Sequence, residues 1–280
     1  MWEFLVEPFL EFEFLRRAAL EAILLGLGFS VTGLILITRR LSLIGDTLSH
    51  AMLPGVVIAF TVWGPHPLAL FIGGWVTSFA LLLMAWGLFR SKKAEADASL
   101  ALFAVFSVSL GILIASRTRT TTEILHLLFG HILAVDRTLL VLSAVVVGVT
   151  WLIFLWQYRA VMMALVDPAF FQQMVRPSIF LFAGLCALFS ANLTIGFASL
   201  GAMMTVGLLI VPSLVGRTLG SNPLQMALWS FLFSSVVSVS GVLVSFHLSV
   251  PPGPAIVSLA CLGLTIVFVF RWLRMARYAA

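Results

Sequence analysis

The sequence predicts an all-α protein, a polytopic transmembrane helical bundle of about nine spans with one membrane domain over residues 1–280. Three observations lead there. Hydrophobic residues make up 61% of the chain and charged residues 10%, too few charges to cover a soluble surface. Apolar runs near the roughly 20 residues that cross a bilayer recur along the whole length. The polar connections between them stay under about 20 residues, which leaves no room for a soluble domain.

The elements follow in chain order. Residues 1–14 mix Trp2, Phe4, Phe9, Phe12 and Phe14 with Glu3, Glu7, Glu11 and Glu13, without a leading positive charge. They read as an interfacial lead-in and not as a cleavable signal peptide. The first span covers 18–38 and carries Gly26, Gly28 and Gly33, small residues that let helices approach closely in lipid. Glu21 falls in its first turn, where an acid suits the helix dipole and lies near the interface, so it reads as structural. The second span covers 44–63 and the third 67–89, joined by a short turn in which His66 sits between Pro65 and Pro67. The third carries Gly73 and Gly74, and the fourth covers 99–116. Thr122–Ala134 is apolar but too short to cross, and reads as a surface or re-entrant helix. The remaining spans are 137–157, 178–195, 199–219, 223–247 and 254–272, with Gly201, Gly207 and Gly216 in the seventh. Cys186 and Cys261 lie in apolar runs and read as small filler, not as a disulfide framework.

Lys and Arg placement sets the orientation. With the N-terminus outside, Arg39, Arg40, Arg90, Lys92, Lys93, Arg159, Arg176, Arg217, Arg271, Arg274 and Arg277 face the cytoplasm, eleven of the sixteen basic residues. That agrees with the positive-inside rule and places the C-terminus in the cytoplasm. The net charge of +5 suits anionic lipid headgroups. No basic cluster interleaved with aromatics marks a nucleic-acid surface.

Residues 39–55 hold the chemistry. Asp46 and His50 are four apart, so a helix puts them on one face. An ionisable pair in lipid-embedded sequence is costly and marks a functional site by default. Carboxylate and imidazole are also ligand types that suit divalent transition metals. Pro54 lacks an N–H, so the carbonyl of His50 loses its donor and the helix should bend there. A bland alternative stands beside this: Gly45-Asp46 starts a helix, with Asp46 as its N-cap and His50 packed on a neighbour. Two ligands do not complete a zinc-like site of four. Two copies about a two-fold axis would supply two Asp46 and two His50, an N2O2 set. Within one chain the further candidates are His126, His131, His66 and His247, each more simply read as a satisfied or solvated histidine.

Other chemistries are excluded or unsupported. Lys92 and Lys93 are the only lysines, and neither follows a G-x-x-x-x-G run, so the chain holds no Walker site for ATP. Ser49, next to His50, faces a different side of a helix, which argues against a Ser–His nucleophile.

These stretches resemble the membrane permease subunits of manganese, zinc and iron ABC importers, the ABC-3 type. Glu7-Pro-Phe through Arg16-Arg17-Ala is similar to the family's lead into its first helix. Arg39–Gly55 carries its hallmark, R-R-x-S-x-x-G-D-x-L-S-H-A-x-L-P-G. Leu128–Val135, Val166–Phe170, Gly201–Pro212 with Arg217, and Pro251–Pro254 resemble later family segments in the right order. His131 stands where Asn, Asp or Ser is common, and Phe170 where Leu is usual.

The resemblance implies an ABC importer permease fold and a function: ATP-driven import of a divalent transition metal, zinc or manganese and possibly iron, across the cytoplasmic membrane. It implies that the chain is not itself an enzyme and has no permanent cofactor, the metal being a transient cargo. Asp46 and His50 are the matched metal-path positions. The implied partners are cytoplasmic ATP-binding subunits, an extracytoplasmic solute-binding protein, a second permease copy and membrane lipid, with no nucleic acid. Tyr158–Pro177, the longest cytoplasmic connection, becomes the ATPase-docking segment, with Asp167, Pro168, Ala169 and Phe170 at its centre. The extra histidines lean toward zinc. The alternative is a proton-coupled or facilitative secondary metal transporter, with Asp46 and His50 as a proton relay. An intramembrane hydrolase using His50 and a metal-bound water is a further rival.

Overall fold

A computed structural model describes residues 7–38, 43–91, 95–118, 132, 135–159 and 179–279. All regular structure among them is helical: α1 Glu7–Glu11, α2 Glu13–Thr38, α3 Leu43–Ala51, α4 Leu53–Trp63, α5 Pro67–Arg90, α6 Ala96–Thr118, α7 Arg137–Trp156, α8 Ile179–Leu200, α9 Ala202–Leu219, α10 Pro223–Leu248 and α11 Pro252–Ala279. Nine stretches among the described residues are long and apolar enough to cross a membrane, α3 and α4 together making the second. The expected bundle of about nine spans is therefore present.

Several boundaries differ from the sequence reading, and two of them have a clear local reason. The first span starts at Glu13 and not at 18. Leu15 and Ala18 are buried, and Arg17 pairs with Glu13 across one turn at 2.5 Å on the outer face, so the interfacial lead-in is already helical. The break between the sixth and seventh spans falls at Gly201, not near 196–198. Gly201 has φ 80°, a left-handed backbone that a glycine adopts without the Cβ penalty.

The extra turns of α2 change the place of Glu21. It lies more than two turns inside the helix, fully buried, with the Ser143 hydroxyl of α7 donating to its Oε1 at 2.5 Å. The expectation of an interfacial first-turn acid is corrected.

Side-chain pairings fix the helix directions. Along α2 and α7, Glu21 meets Ser143 and Leu27 meets Trp151, so the two run parallel. Along α3, α4 and α6, Ala51 meets Ser107 and Val57 packs with Ala115, again parallel. Along α2 and α9, Gly33 meets Leu209 and Ile37 meets Arg217, also parallel. In an up-and-down count these pairs are spans one and five, two and four, and one and seven. Thr122–Ala134 falls mostly outside the described residues.

α2 is the centre of the bundle and α11 its rim: 72% of the membrane window of α2 is buried, against 11% for α11. Leu262, Ile266, Phe270 and Trp272 on α11 are exposed, as lipid-facing side chains are. Cys186 is buried and Cys261 exposed, neither in a disulfide, which fits their reading as apolar filler.

Candidate functional site

The second span is two helices, not one. α3 ends at Ala51 and α4 begins at Leu53, with Pro54 in the first turn of α4. The reason is the missing N–H of Pro54, which cannot continue the α3 ladder. Backbone groups at the break need other partners in a bilayer. Ser107 Oγ of α6 donates to Ala51 O at 3.1 Å, and the Thr77 hydroxyl of α5, which bonds back to Gly73 O at 3.0 Å, lies 3.4 Å from Met52 O. The expected disturbance at Pro54 is present as a one-residue interruption at Met52, whose backbone stays in the helical region. Ser107 and Thr77 were not singled out in the sequence, although each is a hydroxyl in an apolar run.

The break needs α5 close by. A Cβ on Gly55 would lie 2.0 Å from Gly73 O and 2.4 Å from Thr77 Oγ1. Only glycines let these backbones approach so closely.

On α3, the buried side carries Leu48 and Ser49, and the Ser49 hydroxyl donates to Asp46 O at 2.5 Å. Asp46 and His50 are both exposed, one turn apart on the opposite side. The structure therefore puts them on one face, and the other described residues do not cover that face. α3 starts at Leu43, so Asp46 lies in its first turn and is not its N-cap, which removes the capping alternative. Ser49 points away from His50, so the nucleophile reading finds no geometry.

The other candidate ligands do not gather here. His66 is the exposed residue before α5, and His247 sits in the last turn of α10 with a ring nitrogen 2.9 Å from Leu243 O. Among the described residues no group of three or more His, Cys, Asp or Glu side chains could hold a metal ion. His126, His131 and the docking residues Asp167, Pro168, Ala169 and Phe170 lie outside the described residues, as do Arg39 and Arg40 at the head of the hallmark. One described chain thus offers a metal two side chains, a carboxylate and an imidazole, on an outward face.

A helical membrane bundle with a broken second span that presents Asp46 and His50 narrows the choice of family, and sequence comparison decides it. The profile of the ABC 3 transport family matches residues 11–271. The chain belongs to the ABC 3 transport family. This ABC 3 chain is a multi-pass protein of the cytoplasmic membrane and a transporter component. It is 27% identical to the chelated iron transport system membrane protein YfeD of Yersinia pestis, over 98% of this chain and 91% of that one. It is 28% identical to the manganese transport system membrane protein MntC of Halalkalibacterium halodurans, over 95% of this chain and 90% of that one. Among solved structures it is similar to PsaBC from Streptococcus pneumoniae in complex with Fab, with a TM-score of 0.83 and 26% identity, covering 95% of this chain and 94% of that one.

Proposed function

We propose that this permease imports a divalent transition metal, manganese or iron ahead of zinc, and that the ion passes between two copies of the chain. The observation that carries the reading is the outward face of α3. Asp46 and His50 are exposed on a stretch that is long and apolar enough to span the membrane. Presenting an ionisable pair to lipid is costly, by about 2.5 kcal/mol or more for a charged aspartate at mid-membrane. A second copy about a two-fold axis covers the pair and completes an N2O2 set from two Asp46 and two His50. Selectivity for transport needs a site that binds well enough to select and weakly enough to release, which four mixed ligands supply.

Two considerations bear on the metal. YfeD and MntC are named for iron and manganese. Of the four histidines that lean toward zinc, His66 and His247 sit at helix ends and do not join Asp46 and His50, while His126 and His131 lie outside the described residues.

Energy comes from separate cytoplasmic ATP-binding subunits, because the chain has no Walker motif. They dock on the connection around Asp167, Pro168, Ala169 and Phe170. An extracytoplasmic solute-binding protein delivers the metal. The test is uptake of radiolabelled manganese into vesicles that hold the permease and its ATPase. We expect uptake only with ATP, and charge reversal within Asp167–Arg176 to leave ATP hydrolysis without uptake. Uptake driven by a proton gradient alone would favour the secondary-transporter reading, with Asp46 and His50 as relay.

A further inference from the structure

Glu21 has no part in that cycle. Among the described Asp, Glu, Lys and Arg side chains it alone is fully buried. It sits in the seam between α2, α7 and α8. Oε1 accepts a hydrogen bond from Ser143 Oγ at 2.5 Å, and Ser199 of α8 also lies against the carboxyl. Oε2 is buried and has no hydrogen-bond partner among the described residues. The Ser199 hydroxyl donates elsewhere, to Ile195 O at 2.9 Å.

Among the described residues no cation is paired with Glu21. On α2, Arg17 is paired with Glu13 and Arg16 is exposed. On α7, Arg137 is exposed at the first position of the helix. α8 contains no Asp, Glu, Lys, Arg or His. Arg217 of α9 reaches Ile37 O near the far end of α2, and the ring of His247 of α10 lies at Leu243 O. An unpaired carboxylate in such a place is costly, and a neutral carboxyl is much less so. Its Oε1 accepts from Ser143, which leaves Oε2 as the atom that holds the proton.

The seam is graded beyond this layer. One turn on from Glu21 and Ser143, and one turn back from Ser199, the same faces carry Leu25, Val147 and Ile195, all buried. The next layer is polar again: Asn192 Nδ2 donates to Thr150 Oγ1 at 2.6 Å, and Asn192 Oδ1 is buried without a partner among the described residues. Thr150 in turn lines a cleft with Thr32, Phe154 and Gln157. A single dry layer therefore separates Glu21 from the Asn192–Thr150 pair, which stands at the head of a small, mostly apolar cleft.

We propose that Glu21 is a proton-binding site within each chain, distinct from Asp46 and His50, whose proton is held while the α2–α7–α8 seam is closed and leaves through the cleft when Leu25, Val147 and Ile195 part. On release the Oε2–H bond breaks, the proton passes to water in the cleft, and the carboxylate that remains is hydrated by the opened seam. Rearrangement of α2, the central helix, is thereby linked to proton uptake and release.

The test needs neither metal nor ATPase and so stands apart from the transport reading. Infrared spectra of the full-length chain in lipid vesicles at neutral pH should show a neutral carboxylic-acid C=O band that is lost in Glu21→Gln. Ser143→Ala, which removes the donor to Oε1, should keep that band and shift it to higher wavenumber. Val147→Thr, near-isosteric in the dry layer, should speed its exchange in D2O. Spectra in which Glu21→Gln removes a carboxylate band, or no band, would overturn the proposal. So would a band that Ser143→Ala does not shift, and exchange unaffected by Val147→Thr would overturn the route through the seam.

Discussion

Replacing Asp46 or His50 by alanine should abolish metal uptake while leaving the permease folded. Both side chains are exposed, and the partner of α3 in the chain is its other side, where Leu48 and Ser49 are buried. Surface truncations of this kind cost within about 0.5 kcal/mol of fold stability. The loss in transport is much larger. Each alanine removes two of the four ligands of a shared site, one from each copy, and no other described His, Cys, Asp or Glu is grouped to replace them. Uptake at matched expression, with thermal unfolding as the control, separates the two effects. Near wild-type uptake by both variants would remove this pair from the mechanism.

Gly55→Val should have the largest effect on folding. The new Cβ meets Gly73 O at 2.0 Å, a backbone atom that cannot swing aside, and Thr77 Oγ1 at 2.4 Å. Overpacking of a close helix contact costs about 1–3 kcal/mol and at times more. Here the upper end is expected, because α4 and α5 must separate and Thr77 then loses Met52 O at the break. Gly148→Ala is the control, since a Cβ there meets nothing within 4 Å and helix propensity favours alanine by about 1 kcal/mol. Thermal unfolding in detergent should show a clear fall for Gly55→Val and none for Gly148→Ala. Equal stability of Gly55→Val and wild type would mean that α4 and α5 do not pack as described.

Much of the bundle was legible because length and hydropathy are what a bilayer selects. The spans follow from apolar runs of about 20 residues. The break in the second span followed from Pro54, and the shared face of Asp46 and His50 from their spacing of four. What sequence could not show was set by distant partners. Glu21 reads as an interfacial acid until Ser143, far along the chain, is seen to donate to it. Ser107 is an ordinary small residue until Ala51 O needs a donor. Gly201 was visible as a packing residue, but its positive φ and the helix boundary it makes were not. Conversely, the capping reading of Asp46 was reasonable from Gly45-Asp46 alone and failed because the helix begins at Leu43.

The most direct measurement is the number of metal ions held per permease chain. The purified full-length permease, loaded with manganese and freed of excess, would be assayed for metal and protein together. A site shared by two Asp46 and two His50 predicts one ion for every two chains, and none for Asp46→Ala. One ion per chain, retained by Asp46→Ala, would contradict it and place the cargo within a single copy.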